Sequence, residues 1–369
     1  MSFSVKEITE TVGMNDFLSI PSEIYRNDPN WVAPQLSEIM RILNPSLNPY
    51  FKNASLRIYV CYADGKPVCR SIMVINPLHW SKWKKKPAFF GFFESIDDSN
   101  AVKYLFDKIE ADSREAGAEY LEGPFNPNHY SELGILIDNF NSVPAFFETY
   151  NPPYYPQLLN NAGFSELSIL HTRHNNNIAA TLSKNIRIAD LPDLNNGYSI
   201  RKFNIFRIRR DLEIMREINN EAFENNWYFL PLSREEYKFS AKFLFFVTIP
   251  GLILIVEYKG KPAGTIQCVL NFNRLIKPYE GRMKWWNLPG FLLKRKKLKE
   301  LIIFTVGVKN EFRHSPVLAM IVKSTLKIFQ NYSTLSTTWV SDQNKGVNHF
   351  SELLGMKPYK HFAIYSKHL

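Results

Sequence analysis

Two stretches of the chain hold more polar and aromatic side chains than a connecting loop requires. Residues 126–132 read NPNHYSE, and residues 150–155 read YNPPYY. Histidine and glutamate transfer protons, while tyrosine and asparagine can position an amine by hydrogen bonding. The pattern therefore predicts a pocket with His129 and Glu132 as catalytic groups, unless the two prolines of the second stretch simply start a helix. The candidate substrate-binding residues are Tyr130, Tyr150, Asn151 and Tyr154.

Two other stretches combine tryptophan with many cations. Residues 281–299, GRMKWWNLPGFLLKRKKLK, contain seven basic residues and no acid, and residues 79–93 read HWSKWKKKPAFFGFF. Tryptophan beside lysine is typical of a protein surface that contacts anionic lipid headgroups. The alternatives are a solvated loop with its tryptophans packed underneath, and nucleic-acid binding, which the short basic runs and bulky aliphatic residues disfavour. The candidate membrane-contact residues are Trp285, Trp286, Lys294, Arg295, Lys296 and Lys297.

The sequence predicts no metal site. His171 and His174 have helical ligand spacing, but no Cys, Asp or Glu stands at ligand distance in the sequence, and we expect that segment to be a linker. The chain also contains no P-loop, no G-x-G-x-x-G and no G-x-S-x-G nucleophile elbow.

Composition indicates a folded, basic protein inside the cell. Hydrophobic residues make up 45%, charged residues 22%, and the net charge is +10. The three cysteines have no C-x-x-C spacing, and the N-terminus carries acids instead of a signal-peptide core. The longest apolar run, residues 243–256, is interrupted by Pro250-Gly251 and is too short to span a bilayer. We therefore expect a cytoplasmic protein.

The elements that would position these residues occur twice along the chain. Residues 56–76 and residues 252–271 each read as two β-rich runs around a turn that ends in Gly-Lys-Pro. Gly65 and Gly260 are separated by almost the same distance in sequence as Gly163 and Gly355. Chance could produce one such match, but two in register indicate duplication of one unit.

Each half also has the same order of predicted elements. After a first strand and two helices come three strands, a helix, a strand, a helix and a last strand, which predicts a mixed α/β fold. In the first half the central helix is predicted to have Ser99 as its N-cap and to end before Gly117. An Asn-rich polar stretch separates the halves, so the predicted domains are residues 1–185 and residues 190–369.

This arrangement resembles the GNAT superfamily of acyl-CoA-dependent N-acyltransferases. Residues 306–329, VGVKNEFRHSPVLAMIVKSTLKIF, are similar to the family's pyrophosphate-binding strand and helix. Residues 339–359, WVSDQNKGVNHFSELLGMKPY, are similar to its late Asn…Gly motif. The whole chain resembles a tandem GNAT group of bacterial proteins, which includes acyltransferases of the ceramide synthase type. The segments that carry this second resemblance are YRNDPNWVAP (25–34), FFGFFESIDD (89–98), GPFNPN (123–128) and YNPPYYPQLL (150–159).

The resemblance implies that the second half binds an acyl thioester, either acyl-CoA or acetyl-CoA or an acyl carrier protein. The family's glycines are replaced here by Pro316 and Leu318, and its tyrosine acid by Ser351. In the first half, Asp97 and Asp98 would repel a pyrophosphate, so we expect no CoA there. The residues expected to bind the donor are Val306, Val308, Arg313, His314, Ser315 and Asn344, and Glu300 is a further candidate base.

We therefore expect an N-acyltransferase that moves an acyl group from a thioester to an amine. The basic and aromatic stretches favour a long-chain lipid amine as acceptor and a peripheral position on the inner face of the membrane. The alternative is a non-catalytic GNAT-fold module that binds a lipid or a partner, which the missing glycines and tyrosine favour.

Overall fold

The computed structural model describes residues 2–9, 11–185, 197–247 and 249–369, and the structural statements below refer to these residues. The predicted domain boundary near residue 190 lies outside them. The strands are β1 (Phe3–Glu7), β2 (Ser55–Ala63), β3 (Lys66–Ile75), β4 (Pro87–Ser95), β5 (Tyr120–Gly123), β6 (Ile135–Leu136), β7 (Ser165–Asn175), β8 (Tyr198–Lys202), β9 (Ile253–Tyr258), β10 (Lys261–Leu270), β11 (Glu300–Val308), β12 (Thr334–Thr337) and β13 (Lys357–His368).

The α-helices alternate with these strands, as a mixed α/β fold requires. They are α1 (Thr11–Ile24), α2 (Leu36–Ile42), α3 (Pro77–Trp83), α4 (Ser99–Glu115), α5 (Tyr155–Asn161), α6 (Ile178–Asn185), α7 (Ile208–Ala222), α8 (Arg234–Val247), α9 (Asn273–Ile276), α10 (Leu288–Arg295), α11 (Val317–Phe329) and α12 (Lys345–Leu353). Among the described residues, none of these helices has both the length and the apolar character that crossing a bilayer requires.

The chain forms two compact units that are discontinuous in sequence. Unit 1 comprises Met1–Leu170, Asn273–Asn287 and Lys360–Leu369, and unit 2 comprises His171–Phe272 and Leu288–Tyr359. Strands β7 and β13 each contribute residues to both units. Unit 1 therefore includes the last residues of the chain.

Unit 1 is built on a sheet with the order β1-β2-β3-β4-β5-β13. All neighbours are antiparallel except β4 and β5, which run parallel. The β2–β3 hairpin turns at Asp64 and Gly65, whose φ angles are 48° and 81°. Two consecutive positive φ angles are the signature of a type I′ turn, and the hairpin that it closes is the one predicted from the sequence.

Unit 2 has a sheet of the same design, in the order β7-β12-β11-β10-β9-β8. Strands β11 and β12 are parallel, and the other neighbours are antiparallel. Its hairpin turns at Lys259 and Gly260, with φ angles of 48° and 76°. The mixed α/β fold and its internal repeat are thus confirmed, although the predicted element order lacked α3 in the first half and α9 and α10 in the second.

Two local predictions differ from the structure. Asp98, and not Ser99, caps α4, and its carboxylate accepts the N–H groups of Asn100 and Ala101 at 2.8 and 3.3 Å. Asp and Ser are equally good caps, so the sequence left the choice open. The segment expected to be a linker after His171 is the end of β7 followed by α6. The polar side chains of this segment do not show the alternation of apolar and polar residues that predicts a strand.

Residues 124–153 of unit 1 form a long irregular segment held by side chains. Asn151 binds both Leu136 N, at 2.7 Å, and Leu136 O, at 3.1 Å. Lys360, which is fully buried, donates to Glu148 Oε2 at 3.1 Å. Irregular segments of this length in a compact domain are usually functional.

Candidate functional site

A half-buried carboxylate, Glu94, lies where the conspicuous segments of the first half meet. The hydroxyls of Tyr25 and Tyr155 donate to its Oε2 atom at 2.8 and 2.7 Å. Across the β3–β4 pair, Arg70 Nη2 lies 3.8 Å from its Oε1 atom. Burial raises the pKa of Glu94, and Arg70 and the two tyrosines oppose that rise. The carboxylate is therefore held in place by three side chains from three separate parts of unit 1.

Arg70 is itself fixed in the interior of unit 1. Its Nη1 atom donates to Phe17 O at 2.7 Å, and its guanidinium lies 4.4 Å from the centre of the Phe17 ring. Burial lowers the pKa of Arg70, although the neighbouring Glu94 opposes this change. Buried charges need partners of this kind, so Arg70 and Glu94 depend on each other.

A β-bulge in β4 turns Glu94 toward this site. The register passes from Arg70 opposite Glu94 to Ile72 opposite Gly91, so β4 has an additional residue there. Phe92 has a φ of 49°, and its N–H donates to Asn126 Oδ1 at 2.6 Å. A Cβ on Gly91 would lie 1.8 Å from Phe125 O, so only glycine fits. Beyond the bulge, β4 no longer pairs with β5.

Glu132 is the group in this region best suited to proton transfer near neutral pH. Burial raises its pKa to about 7, the nearby charge of Glu94 adds to the rise, and a hydrogen bond with Asn126 partly offsets it. A carboxyl group with this pKa can both accept and release a proton at physiological pH. The sequence nominated Glu132 from its type alone.

His129 lies in an aromatic cluster and is neutral at physiological pH. Burial lowers its pKa well below the ordinary value, and His79 lowers it further. The two imidazole rings stack with centroids 5.6 Å apart, and the Phe125 ring lies 4.0 Å from His129. Burial also lowers the pKa of His79 to about 4. His129 can therefore donate or accept a hydrogen bond but is not a positive charge.

The predicted substrate-binding residues have different surroundings. The Tyr150 hydroxyl donates to Asp28 Oδ2 at 2.8 Å, and the Tyr154 hydroxyl donates to Ser95 O at 2.9 Å. Tyr130 is half-buried in the same irregular segment. Asn151 is occupied by backbone groups, as described above. Tyr150 and Tyr154 thus frame the Glu94 site, whereas Asn151 supports the segment that carries it.

Unit 2 has a split at the equivalent place in its sheet. Strand β11 pairs with β12 only over residues 300–303, and the β10–β11 register shifts at Phe304. Two buried polar atoms beside this split, Thr305 Oγ1 and Trp339 Nε1, have no hydrogen-bond partner among the described residues. Val306 and Val308 continue β11 along the split and are half-buried. The split therefore presents backbone and side-chain groups that could bind a polar ligand.

The helix that follows this split begins without a charged cap. Pro316 occupies the cap position of α11 and makes no side-chain capping bond, whereas Ser315 Oγ accepts Val317 N at 3.3 Å. Arg313 and His314 are exposed next to this helix start. In unit 1 the equivalent start of α4 is occupied by the Asp98 carboxylate. An anion is therefore favoured at α11 and repelled at α4.

The chain is similar to known proteins over almost its whole length. It is 26% identical over 361 residues to protein YghO of Escherichia coli, with 96% of this chain and 92% of that protein covered. It is also 26% identical over 384 residues to a bacterial ceramide synthase of Caulobacter vibrioides, with coverage of 99% and 97%. No family model matches the chain.

Solved structures establish the fold. A tandem GNAT protein from the clavulanic acid biosynthesis pathway, solved without acetyl-CoA, matches with a TM-score of 0.58 at 11% identity, covering 100% of this chain and 98% of that one. The chain has a tandem GNAT fold. A conserved protein of Enterococcus faecalis also matches, with a TM-score of 0.54 at 10% identity and coverage of 100% and 73%. The resemblance inferred from the sequence is thus confirmed.

Two further predicted site residues make hydrogen bonds within the fold. Glu300 is at the opposite end of β11 from the split and accepts a 2.7 Å hydrogen bond from Asn271 Nδ2. Asn344 caps α12, where its Oδ1 atom accepts Val347 N at 3.2 Å. The structure therefore does not bring Glu300 to the split, and it gives Asn344 a structural bond.

The predicted membrane-contact stretches differ in exposure. In the first stretch His79 is buried, and Trp80 donates to Pro87 O at 2.8 Å, so this part packs onto unit 1. In the second stretch Trp285 and Trp286 of unit 1 are 81% and 56% exposed. Lys294, Lys296 and Lys297 of unit 2 are exposed, and Arg295 is half-buried. No group of metal-ligating side chains occurs among the described residues.

Sequence reasoning missed Glu94, Tyr25, Tyr155 and Arg70. The first three lie inside the segments that carry the tandem-group resemblance, and that position was the available signal. The sequence contains no such signal for Arg70, because a single arginine in a β-rich run normally indicates the exposed face of a strand.

Proposed function

We propose that this tandem GNAT-fold protein is an N-acyltransferase that transfers an acyl group from a thioester to an amine. The observation that carries the proposal is Glu132, a half-buried carboxyl group whose pKa is raised to about 7 by burial and by the nearby charge of Glu94. The shared fold and the similarity to a protein named bacterial ceramide synthase support the same class of reaction.

In the proposed reaction, Glu132 removes a proton from the ammonium form of the acceptor. The neutral amine nitrogen then attacks the thioester carbonyl, a C–N bond forms, and the C–S bond breaks. The thiolate leaves with the electron pair of that bond and takes up the second proton that the nitrogen loses as the amide forms, while the proton held by Glu132 passes to water. Neutral His129 and the hydroxyls of Tyr130, Tyr150 and Tyr154 provide hydrogen-bonding groups around the amine, and Asn151 supports them.

From the contacts within unit 2 alone, the split in its sheet is a candidate site for the acyl donor. The backbone at Val306 and Val308, together with Thr305 and Trp339, is suited to the amide-rich pantetheine arm of an acyl-CoA. The start of α11, with Arg313, His314 and Ser315, is suited to its phosphates. Asn344 is a supporting residue of this site through its cap on α12. An acyl carrier protein would present the same pantetheine arm.

The proposed acceptor is a long-chain lipid amine at the inner face of the membrane. The exposed rings of Trp285 and Trp286 can lie among lipid headgroups. The cations Lys294, Arg295, Lys296 and Lys297 can bind the headgroup phosphates. This position would place the protein in the cytoplasm as a peripheral membrane protein.

A second candidate function is a non-catalytic lipid-binding module. It is favoured by Pro316 and Leu318, which replace the family's phosphate-binding glycines, and by Ser351 in the place of its tyrosine acid. Under this alternative the same lipid would bind without being acylated.

The test is a reaction of the full-length protein with acyl-CoA of several chain lengths and with a panel of amines that includes a sphingoid base. Free CoASH and the mass of the amide product are measured together. Glu132→Gln should abolish amide formation, whereas Glu115→Gln, at the exposed end of α4, should leave it unchanged. Lipid binding without amide from either an acyl-CoA or an acylated carrier protein would support the module instead.

A further inference from the structure

Unit 2 exposes two large apolar side chains in the 3-10 helix Ile205–Arg207, between β8 and α7. Phe206 is 95% exposed and Ile205 is 55% exposed. Only three residues earlier, Phe203 is 5% exposed and packs with Ile214 and Ile218. The same residue type is thus buried at one position and almost completely exposed at the other. An adjacent pair of exposed apolar side chains on a folded surface indicates a binding function.

The backbone holds these two side chains outward. Asn204 Oδ1 accepts Phe206 N at 2.9 Å, and Asn204 N donates to Asp211 Oδ2 at 2.8 Å. Asp211 is 1% exposed and receives both Nη atoms of Arg201, at 2.7 and 2.9 Å. The turn is therefore fixed by a buried ion pair and does not depend on packing of Ile205 or Phe206.

Free cations surround the apolar pair. Lys202, Arg207 and Arg210 are exposed, and none has a carboxylate within 4.0 Å in the described part of the chain. They line a hollow of about 330 Å³ together with Arg201, Asn204, Asp211 and Glu257. Both acids of this hollow are bound to Arg201, Glu257 at 2.8 Å. The hollow thus keeps a positive charge that is available to an anion.

We propose that this turn is a membrane-insertion site for a bilayer of anionic lipids. Ile205 and Phe206 enter the boundary between headgroups and acyl chains, and Lys202, Arg207 and Arg210 bind headgroup phosphates. The combination of aliphatic and aromatic side chains with cations is complementary to an anionic bilayer. A nucleic acid would gain nothing from an exposed isoleucine, which cannot stack on a base. The site is separate from the acyltransfer groups and does not depend on that proposal.

The first experiment measures binding to vesicles by flotation. Vesicles of phosphatidylcholine mixed with phosphatidylglycerol are compared with phosphatidylcholine alone, in a Trp285→Ser/Trp286→Ser background that removes the two most exposed of the described tryptophans. Phe206→Ser should weaken binding to the anionic vesicles about ten- to a hundredfold, the equivalent of one Phe side chain left in water. Arg207→Gln/Arg210→Gln should weaken it roughly tenfold or more and should reduce the effect of salt.

Two variants in the same unit serve as matched controls. Leu353 is 45% exposed on α12, and Lys261 is exposed in the β9–β10 hairpin. Leu353→Ser and Lys261→Gln should leave binding unchanged. Equal losses in these controls and in the site variants would overturn the assignment to this turn.

The second experiment measures depth in the membrane. The three native cysteines are buried, so a spin label reacts selectively with an introduced cysteine at position 206. A label on Phe206→Cys should become more accessible to oxygen and less accessible to a water-soluble nickel complex when vesicles are added, whereas a label on Leu353→Cys should not change. An unchanged label at position 206, or equal binding of the wild-type turn to duplex DNA and to vesicles, would show the proposal to be wrong.

Discussion

The Tyr155 hydroxyl is bonded to Glu94 and to the backbone beside it. It donates to Glu94 Oε2 at 2.7 Å and accepts the N–H of Ser95 at 2.9 Å. Tyr25 also donates to Glu94, at 2.8 Å, and its hydroxyl lies 3.2 Å from Tyr150 O. Replacing each tyrosine in turn therefore tests how much each one stabilises the site of the Glu94 carboxylate.

Tyr155→Phe should destabilise the protein more than Tyr25→Phe. Both variants lose a hydrogen bond to a carboxylate, but Tyr155→Phe also leaves the buried Ser95 N–H without its acceptor, which costs roughly 1–3 kcal/mol more. Urea unfolding followed by circular dichroism measures the difference. Equal unfolding midpoints for the two variants would contradict the bond from Ser95.

The rate of acyl transfer should depend on a group with a pKa of about 7. Because Glu132 must be ionised to accept the proton, kcat/KM should fall below this pH and level off above it. Glu132→Gln should lower kcat/KM by about 10²–10⁴-fold and should remove this inflection. Wild type and variant are measured with the same amine, so that the amine's own titration is common to both. An inflection that persists in the variant would assign the pKa to another group.

The same carboxyl group should make stability depend on pH. Its pKa is raised in the folded state, so its contribution to stability is fully present below the ordinary glutamate value and is lost as the pH rises through about 7. At pH 8, Glu132→Gln should therefore have a free energy of unfolding roughly 1–3 kcal/mol larger than that of wild type, and a higher unfolding temperature. At pH 4 the two proteins should be nearly equal in stability. Thermal unfolding at the two pH values tests this sign. A variant that is less stable at pH 8 would disagree with a buried, destabilised carboxylate.

The buried pair of Lys360 and Glu148 should be sensitive to removal of either charge. Lys360→Met leaves the Glu148 carboxylate buried without its cation and should cost about 3–5 kcal/mol. The double variant Lys360→Met/Glu148→Gln removes both charges and should recover much of that loss, since the glutamine can still accept Ala145 N in place of Glu148 Oε2. Unfolding of wild type, the single variants Lys360→Met and Glu148→Gln, and the double variant gives the coupling energy between the two residues. Strictly additive losses would argue against an interaction between them.

Gly91→Ala should disrupt the β4 bulge. The added methyl group would lie 1.8 Å from Phe125 O, which forces the backbone of β4 or of the irregular segment to move. Gly290→Ala is the matched control, because a Cβ at that position meets nothing within 4 Å and alanine favours the helix α10. We expect a loss of both stability and amide formation only for Gly91→Ala. If this variant retained its activity, amide formation would not require the bulge.

Sequence alone predicted the repeat because its strongest signals are local. Gly65 and Gly260 mark type I′ turns, and the apolar spacing of α4 and α11 marks helices, so both depend on neighbouring residues only. The discontinuity of the units could not be predicted, since which strand pairs with β5 is decided by contacts distant in sequence.

The site was predicted only in part for the same reason. His129 and Glu132 were found from their residue types, and the resemblance marked the segment that contains Glu94. The pKa of Glu132 depends on burial and on Glu94, and Arg70 is buried by the register of β3 against β4. Neither property can be calculated from residue spacing.

The assignment of Lys360–Leu369 to unit 1 bears on biosynthesis. Strand β13 pairs with β5 from Tyr365 to His368 and supplies Lys360 to the irregular segment. During translation, the sheet of unit 1 cannot be completed until residues 360–369, which follow unit 2 in the sequence, have left the ribosome. The unit whose synthesis begins first should consequently be finished only after almost all of unit 2 has been made.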